Sequence, residues 1–213
     1  EIHTGYLACG CDIILANTFG ANHFKLKESG YSVREIVQKG VEIAKRAVAM
    51  AGRGYVALDM GPTGKLLRPM GDLGFEEAYA AFAEMVQAGE EAGAQMIVIE
   101  TMSDTYEMKA AVLAAKEQSA LPVIATMTFD EQGKLLTGGN IEAVVCLLEG
   151  LGVDALGMNC GLGPEQMLEL LPRMRACASI PIVVNPNAGL PIVVNGRPSY
   201  ALGPEEFAQQ GEA

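Results

Sequence analysis

Asp154-Ala-Leu-Gly-Met-Asn-Cys160-Gly-Leu-Gly-Pro164-Glu-Gln166 holds a strand, a turn and a helix start in one short stretch. Ala155–Cys160 is a brief, nearly continuous apolar run, the pattern of a strand buried on both faces. It ends in a polar Asn159 and one cysteine, and a glycine-rich turn follows. Pro164 then opens a helix with Glu165 in its first turn, as helix starts prefer. A cysteine at the carboxyl end of a parallel strand faces the crevice in which α/β folds do chemistry. As a thiolate, Cys160 is either a nucleophile or a metal ligand, and this stretch alone leaves both open.

The same unit repeats along the chain. Strand-like runs occupy Asp12–Phe19, Tyr55–Gly61, Met96–Thr101, Pro122–Phe129, Ala155–Cys160 and Pro181–Asn185. Amphipathic stretches lie between and after them at Val33–Ala51, Phe75–Gly93, Tyr106–Ser119, Ile141–Gly150 and Pro164–Cys177. In the first of these, Val33, Ile36, Val37, Val41, Ile43, Ala44, Ala47 and Val48 fall largely on one helical face. Gly52, Gly93 and Gly150 stand where helices should stop. Repeated βαβ units imply a parallel sheet with right-handed crossovers. The alternatives are an open doubly wound sheet and an incomplete barrel. The chain begins in the helix-like Ile2–Ala8 and finishes in the helix start Glu205–Ala213, so both ends read as cut within the architecture. The expected fold is therefore α/β, a (βα)8 TIM-type barrel reduced to about six βα units. No composition shift marks a linker, so residues 1–213 form one domain, incomplete at both ends. The echo of Pro181–Asn185 in Pro191–Asn195 predicts no more than an extra strand or hairpin.

Composition narrows the function. Half of the 213 residues are hydrophobic and 19% are charged, a folded rather than a disordered balance. A net charge of −11 argues against nucleic acid and anionic membrane as partners. No apolar run approaches a membrane span and no secretory leader precedes the first strand. Five irregularly spaced cysteines fit reduced thiols in a cytoplasmic protein better than a disulfide framework. Cys9, Cys11, Cys146 and Cys177 read as small core residues, and the eleven methionines as core filler.

In a parallel barrel the carboxyl ends of the strands carry the chemistry. The strand ends here are Asn17–His23, Asp59–Gly64, Glu100–Asp104, Thr126–Asp130, Asn159–Gly161 and Asn185–Gly189, all small or hydrogen-bonding with a few charges. Glu100 follows the apolar Met-Ile-Val-Ile, so its carboxylate should be partly desolvated. It suits holding an ammonium group or acting as a base; capping a backbone or pairing with a lysine is the plainer role. Asp59 orients either a loop or a ligand. Asp104 caps the helix that begins near Tyr106. His23 reads as a solvated or packed loop histidine, and Gly138-Gly139 lacks the remaining residues of a phosphate loop.

Taken in order, Asn17-Thr-Phe-Gly-Ala-Asn22, Gly61-Pro-Thr-Gly64, Val98-Ile-Glu-Thr101-Met-Ser-Asp104, Met127-Thr-Phe-Asp130, Gly157–Pro164 and Pro186-Asn-Ala-Gly189 resemble the homocysteine S-methyltransferase family. The nearest likeness is to the homocysteine-binding domain of cobalamin-dependent methionine synthases, and it runs over essentially the whole chain. The resemblance implies a (βα)8 barrel, with the six units here as its second to seventh strands. It implies zinc held by three cysteines, of which Cys160 is one; the adjacent pair of the family's Gly-Gly-Cys-Cys-Gly segment does not occur here. It further implies that Glu100 contacts the homocysteine amino group and that Asn187 lies beside metal or substrate. Thr101 and the Asn17–Ala21 loop, Asn17 included, would line the pocket.

The activity so implied is methyl transfer to the zinc-activated thiol of homocysteine, giving methionine. Methylcobalamin, bound by another domain and recharged by a folate-binding domain, would be the donor. The fragment itself is expected to bind zinc weakly and to be inactive. Competing readings are betaine or S-methylmethionine as donor, a metal-independent barrel lyase with Glu100 as base, and a non-enzymatic α/β binding module.

Overall fold

The computed structural model describes residues 1–189, 192–194, 196–200 and 202–212. Six parallel strands form one sheet in chain order: β1 (Ile13–Leu15), β2 (Tyr55–Met60), β3 (Met96–Met102), β4 (Val123–Met127), β5 (Ala155–Asn159) and β6 (Ile182–Asn185). Helix α1 (Ile2–Ala8) precedes them, and α2 (His23–Leu26) and α3 (Val33–Ala51) follow β1. Then α4 (Phe75–Ala92), α5 (Thr105–Gln118), α6 (Ile141–Gly150), α7 (Pro164–Cys177) and α8 (Pro204–Gly211) complete the helices among the described residues. Every strand pairs with the next in sequence, the connectivity of a TIM-type barrel, and the sheet supplies six βα units of that fold. The expected strands and helices are all present, β1 being shorter than its apolar run.

Local chemistry explains the boundaries. Ser32 and Glu35 form a reciprocal capping box at the start of α3, and Gly52 ends it in a left-handed conformation, φ 67°. Gly93 does the same for α4. Gly150 does not: it is the last residue of α6, and the left-handed glycine is Gly152, φ 74°. The turn around Leu151 uses one extra position before the chain reverses. Ile43 is also displaced from expectation; it lies on the exposed side of α3, while Val37, Val41 and Ala44 are buried.

Alternation within the strands divides the sheet into two faces. Val56, Leu58, Met60, Ile97, Ile99, Val123, Ala125, Met127, Leu156 and Met158 belong to the core shared with the helices, where each fully buried side chain stabilises by roughly 1.5–3 kcal/mol. Their neighbours form the opposite, lumen face. The register pairs Ala57 with Met96, Asp59 with Val98, Val98 with Ile124, Thr126 with Gly157, and Asn159 with Asn185. Gly157 is obligatory on this face, because a Cβ there would stand 1.7 Å from the Val183 carbonyl oxygen. Asp59, Thr126 and Asn159 belong to this lumen set.

Two expectations need correction. Cys9, Cys146 and Cys177 are exposed rather than core residues; all five cysteines are unpaired. Cys146 and Cys177 sit on helix faces turned from the sheet, and Cys9 follows the last turn of α1. Met50 and Met70 are likewise exposed, although eight of the eleven methionines are buried as core filler. The repeated Ile-Val-Val run does form a hairpin, β7 (Ile192–Val194) with β8 (Arg197–Ser199), turning through Gly196. Pro191 and Asn195 of that echo lie outside the described residues.

Candidate functional site

Strand β3 carries the first irregularity. Its pairing with β4 shifts register between Ile99 and Met102. Glu100 continues the lumen face set by Val98, and Met102 returns to the core beside Met127. The residue gained between them is Thr101, held at φ 62°. A left-handed conformation is unusual for a β-branched residue and costs on the order of 1–2 kcal/mol. The bulge places Glu100 and Thr101 consecutively at the mouth of the sheet.

Asn159 holds that strain in place from two strands away. Its Oδ1 accepts from the Thr101 backbone N–H at 2.8 Å and from Thr126 Oγ1 at 2.8 Å. Its Nδ2 donates to Thr101 Oγ1 at 2.7 Å. Thr128 Oγ1 donates to the Asn159 carbonyl at 3.0 Å. Next in sequence is Cys160, the second non-glycine residue with positive φ, at 60°. Its N–H donates to the Asn185 carbonyl. Asn187 Nδ2 lies 3.8 Å from Cys160 Sγ and donates toward it, while the Asn187 N–H bonds the Leu162 carbonyl. Cys160 and Asn187 are thus neighbours past the ends of β5 and β6. Backbone strain at Thr101, held by the buried Asn159 amide, and at Cys160, whose N–H bonds the Asn185 carbonyl, is the pattern of a pre-organised site.

On β2, Asp59 is 6% exposed and its Oδ1 is buried without a hydrogen-bond partner. Burial, with the Glu100 charge adding to it, pushes its carboxyl up to about 8. Burial also raises Glu100 above the ordinary carboxylate range. Thr18 rather than Asn17 ties the first loop to β2: its Oγ1 donates to the Asp59 carbonyl at 2.8 Å and lies 3.1 Å from the Asp59 N–H. Asn17 is exposed just past β1. The following Phe19 packs so tightly on Gly61 that a Cβ there would meet its ring at 2.3 Å.

Glu107 went unnoticed in the sequence. It is 3% exposed, and its Oε1 accepts from the Thr63 N–H at 2.7 Å and from Thr63 Oγ1 at 2.6 Å. Burial raises its carboxyl, and the two Thr63 bonds oppose that rise. An acid in the first turn of α5 was a visible signal, but it reads as an ordinary helix-start charge. Asp104 does cap α5, accepting from the Tyr106 N–H at 2.8 Å. His23 is surface-exposed, 3.7 Å from Glu84 Oε2, and takes no part in the site.

Among the described residues no three His, Cys, Asp or Glu side chains gather to hold a metal. Cys160 offers one thiol, with an amide beside it. This set does not by itself fit a zinc ion. No described helix is long and apolar enough to cross a membrane.

The profile of the homocysteine S-methyltransferase family matches residues 1–213. The chain is 35% identical over 219 aligned positions to a methionine synthase of Mycobacterium tuberculosis and 33% identical to that of Mycobacterium leprae. Each alignment covers 98% of this chain but only 18% of the synthase. Among solved structures, the metallated form of the homocysteine methyltransferase MmuM from Escherichia coli superposes with a TM-score of 0.79 at 26% identity. That match covers 89% of this chain and 71% of MmuM.

Proposed function

Because the chain belongs to the homocysteine S-methyltransferase family, we propose that it carries the amino-acid-binding part of an enzyme that methylates homocysteine to methionine. The observation that carries this is the joined array at the ends of β3 and β5. Glu100 and Thr101 are presented by a bulge, the bulge is clamped by Asn159, and Cys160 with Asn187 follows directly.

The chemistry required is simple in outline. A free thiol has a pKa near ~8.5, so the substrate must lose its proton before its sulfur is a good nucleophile. The sulfur lone pair then attacks the methyl carbon, and the donor leaves with the electrons of the broken bond. Residues of this chain bind and orient. Glu100 holds the ammonium group, and Thr101 and Asn17 line the approach. Cys160 and Asn187 flank the place of the substrate sulfur. Cys160 can supply one thiolate to a metal, and the described residues supply no set of three ligands for zinc.

Residues 1–213 act in this reading as part of a homocysteine-binding domain. Methylcobalamin on a cobalamin-binding domain is the proposed donor, recharged by a folate-binding domain, and the two mycobacterial relatives named methionine synthase support that choice. Betaine and S-methylmethionine are the competing donors. Five unpaired cysteines support a reducing, cytoplasmic setting.

The test is methionine formation by the full-length protein, supplied in turn with methylcobalamin, betaine and S-methylmethionine. Methylcobalamin should support turnover, and Glu100→Ala and Cys160→Ser should each lower it by at least about a hundredfold. No methionine from any donor would overturn the reading.

A further inference from the structure

We propose that Glu107 is a positioning residue for the substrate: acting through Thr63, it sets the two loops that wall the approach to the site and so governs homocysteine affinity. The inference rests on the homocysteine reading above and goes further, by giving a buried acid on α5 a part in substrate binding.

A chain of contacts carries it. Glu107 lies in the first turn of α5, and among the described residues its side-chain hydrogen bonds all go to Thr63. One oxygen, Oε1, accepts from the Thr63 N–H at 2.7 Å and from the Thr63 hydroxyl at 2.6 Å. With its proton given to Glu107, the hydroxyl oxygen accepts from the Lys65 N–H at 3.2 Å. Thr63 is 2% exposed, so its two donors have no water to turn to if Glu107 is removed. Glu107 thus fixes both the place of Thr63 and the direction of the bonds that fold the loop after β2.

That loop in turn holds the one after β1. The Gly61 N–H donates to the Phe19 carbonyl at 3.0 Å, and the Phe19 ring covers Gly61 where a side chain would collide with it. The Lys25 stem runs over Gly64, 3.4 Å from the place of a Cβ, and its ammonium stands 5.1 Å from the centre of the Phe19 ring. Lys65 reaches back to the Phe24 ring at 4.8 Å. Burial raises the Glu107 carboxyl, and the Thr63 bonds and then the Lys25 charge oppose that rise. The two loops form one interleaved unit, and Asn17 adjoins it through Thr18, which is tied to the Asp59 backbone. A displacement on the order of 1 Å in such a wall can cost up to about a hundredfold. A wall touches the bound amino acid alike before and during reaction, so its loss weakens binding and spares turnover.

Steady-state kinetics of the full-length protein test this, with homocysteine varied and whichever donor the wild type uses, at a temperature where circular dichroism shows each variant folded. Glu107→Ala should raise KM about tenfold and change kcat by less than about threefold. Glu107→Gln keeps an acceptor oxygen and should bring KM back to within about threefold of wild type. Thr63→Val removes only the hydroxyl and should raise KM severalfold, which tests the relay even where the alanine variant does not fold. In the double variant KM should rise no further than in Glu107→Ala, because the two residues act as one unit. A wild-type KM in folded Glu107→Ala or in Thr63→Val, no recovery in Glu107→Gln, or additive effects in the double variant would overturn the Glu107 assignment and leave the homocysteine reading standing. A wild type that makes no methionine from any donor overturns that reading, and the assignment with it.

Discussion

Asn159 grips Thr101 at two points, accepting from its backbone N–H at 2.8 Å and donating to its hydroxyl at 2.7 Å, across 58 residues of sequence. That pair of bonds turns a strained residue into a fixed one. The φ of 62° at Thr101 would relax in an isolated strand. Here relaxation would leave a buried amide oxygen and nitrogen short of partners.

Removing the clamp should therefore be costly. Asn159→Ala deletes bonds to Thr101 and Thr126 together and should lose roughly 2–4 kcal/mol in urea denaturation. Adding Thr101→Gly to that variant should return about 1 kcal/mol, because glycine tolerates the left-handed backbone. Additive effects of the two substitutions would show that the clamp and the strain are unrelated.

Asp59 should make the protein less stable as pH rises. Its folded-state carboxyl titrates at about 8 against an ordinary 3.8, so folding favours the protonated form. Stability from this group is fully present below about pH 4 and declines as pH climbs to about 8, by at most roughly 6 kcal/mol. The readout is the difference between wild type and Asp59→Asn across pH 4–9, which cancels the other carboxylates. A flat difference would place the Asp59 carboxyl in its usual range.

Glu107 anchors the Gly61–Gly64 loop from α5. Glu107→Ala should cost roughly 2–4 kcal/mol and speed amide exchange at Thr63, whose N–H loses its acceptor. Glu107→Gln keeps an acceptor oxygen and should cost about half as much. Unchanged exchange at Thr63 in the alanine variant would remove Glu107 from this role.

At Cys160 chemistry and backbone can be separated. With φ at 60°, Cys160→Gly should remain within about 1 kcal/mol of wild type, while the β-branched Cys160→Val should lose about 1–2 kcal/mol more. Both should abolish methionine formation in the full-length protein. The 213-residue chain, with one thiol in the site, should retain little zinc after dialysis. One tightly held zinc per chain by metal analysis contradicts that.

Much of the architecture was legible because it rests on local rules. Continuous apolar runs marked β2 to β6, and the bounds of α3, α6 and α7 coincide with those expected from periodicity, caps and proline. The chemistry at the strand ends was legible as residue types: Glu100, Cys160 and Asn187 stand where the parallel-sheet rule puts them. What was not legible depended on partners distant in sequence. Glu107 looks like any first-turn acid until Thr63 is seen against it, and Asn159 looks like a strand terminus until Thr101 is found at its amide.

The amino-acid sequence alone determined which segments become strand and helix, their parallel order and the polar strand ends, since period, propensity and capping act within a few residues. Only the tertiary structure decided that β3 bulges at Thr101, that Asn159 locks the bulge, and that Asp59 is buried within reach of the Glu100 charge with Oδ1 unpartnered. Those facts follow from register and from burial, which lower the dielectric and remove water, and both exist only once the strands have paired.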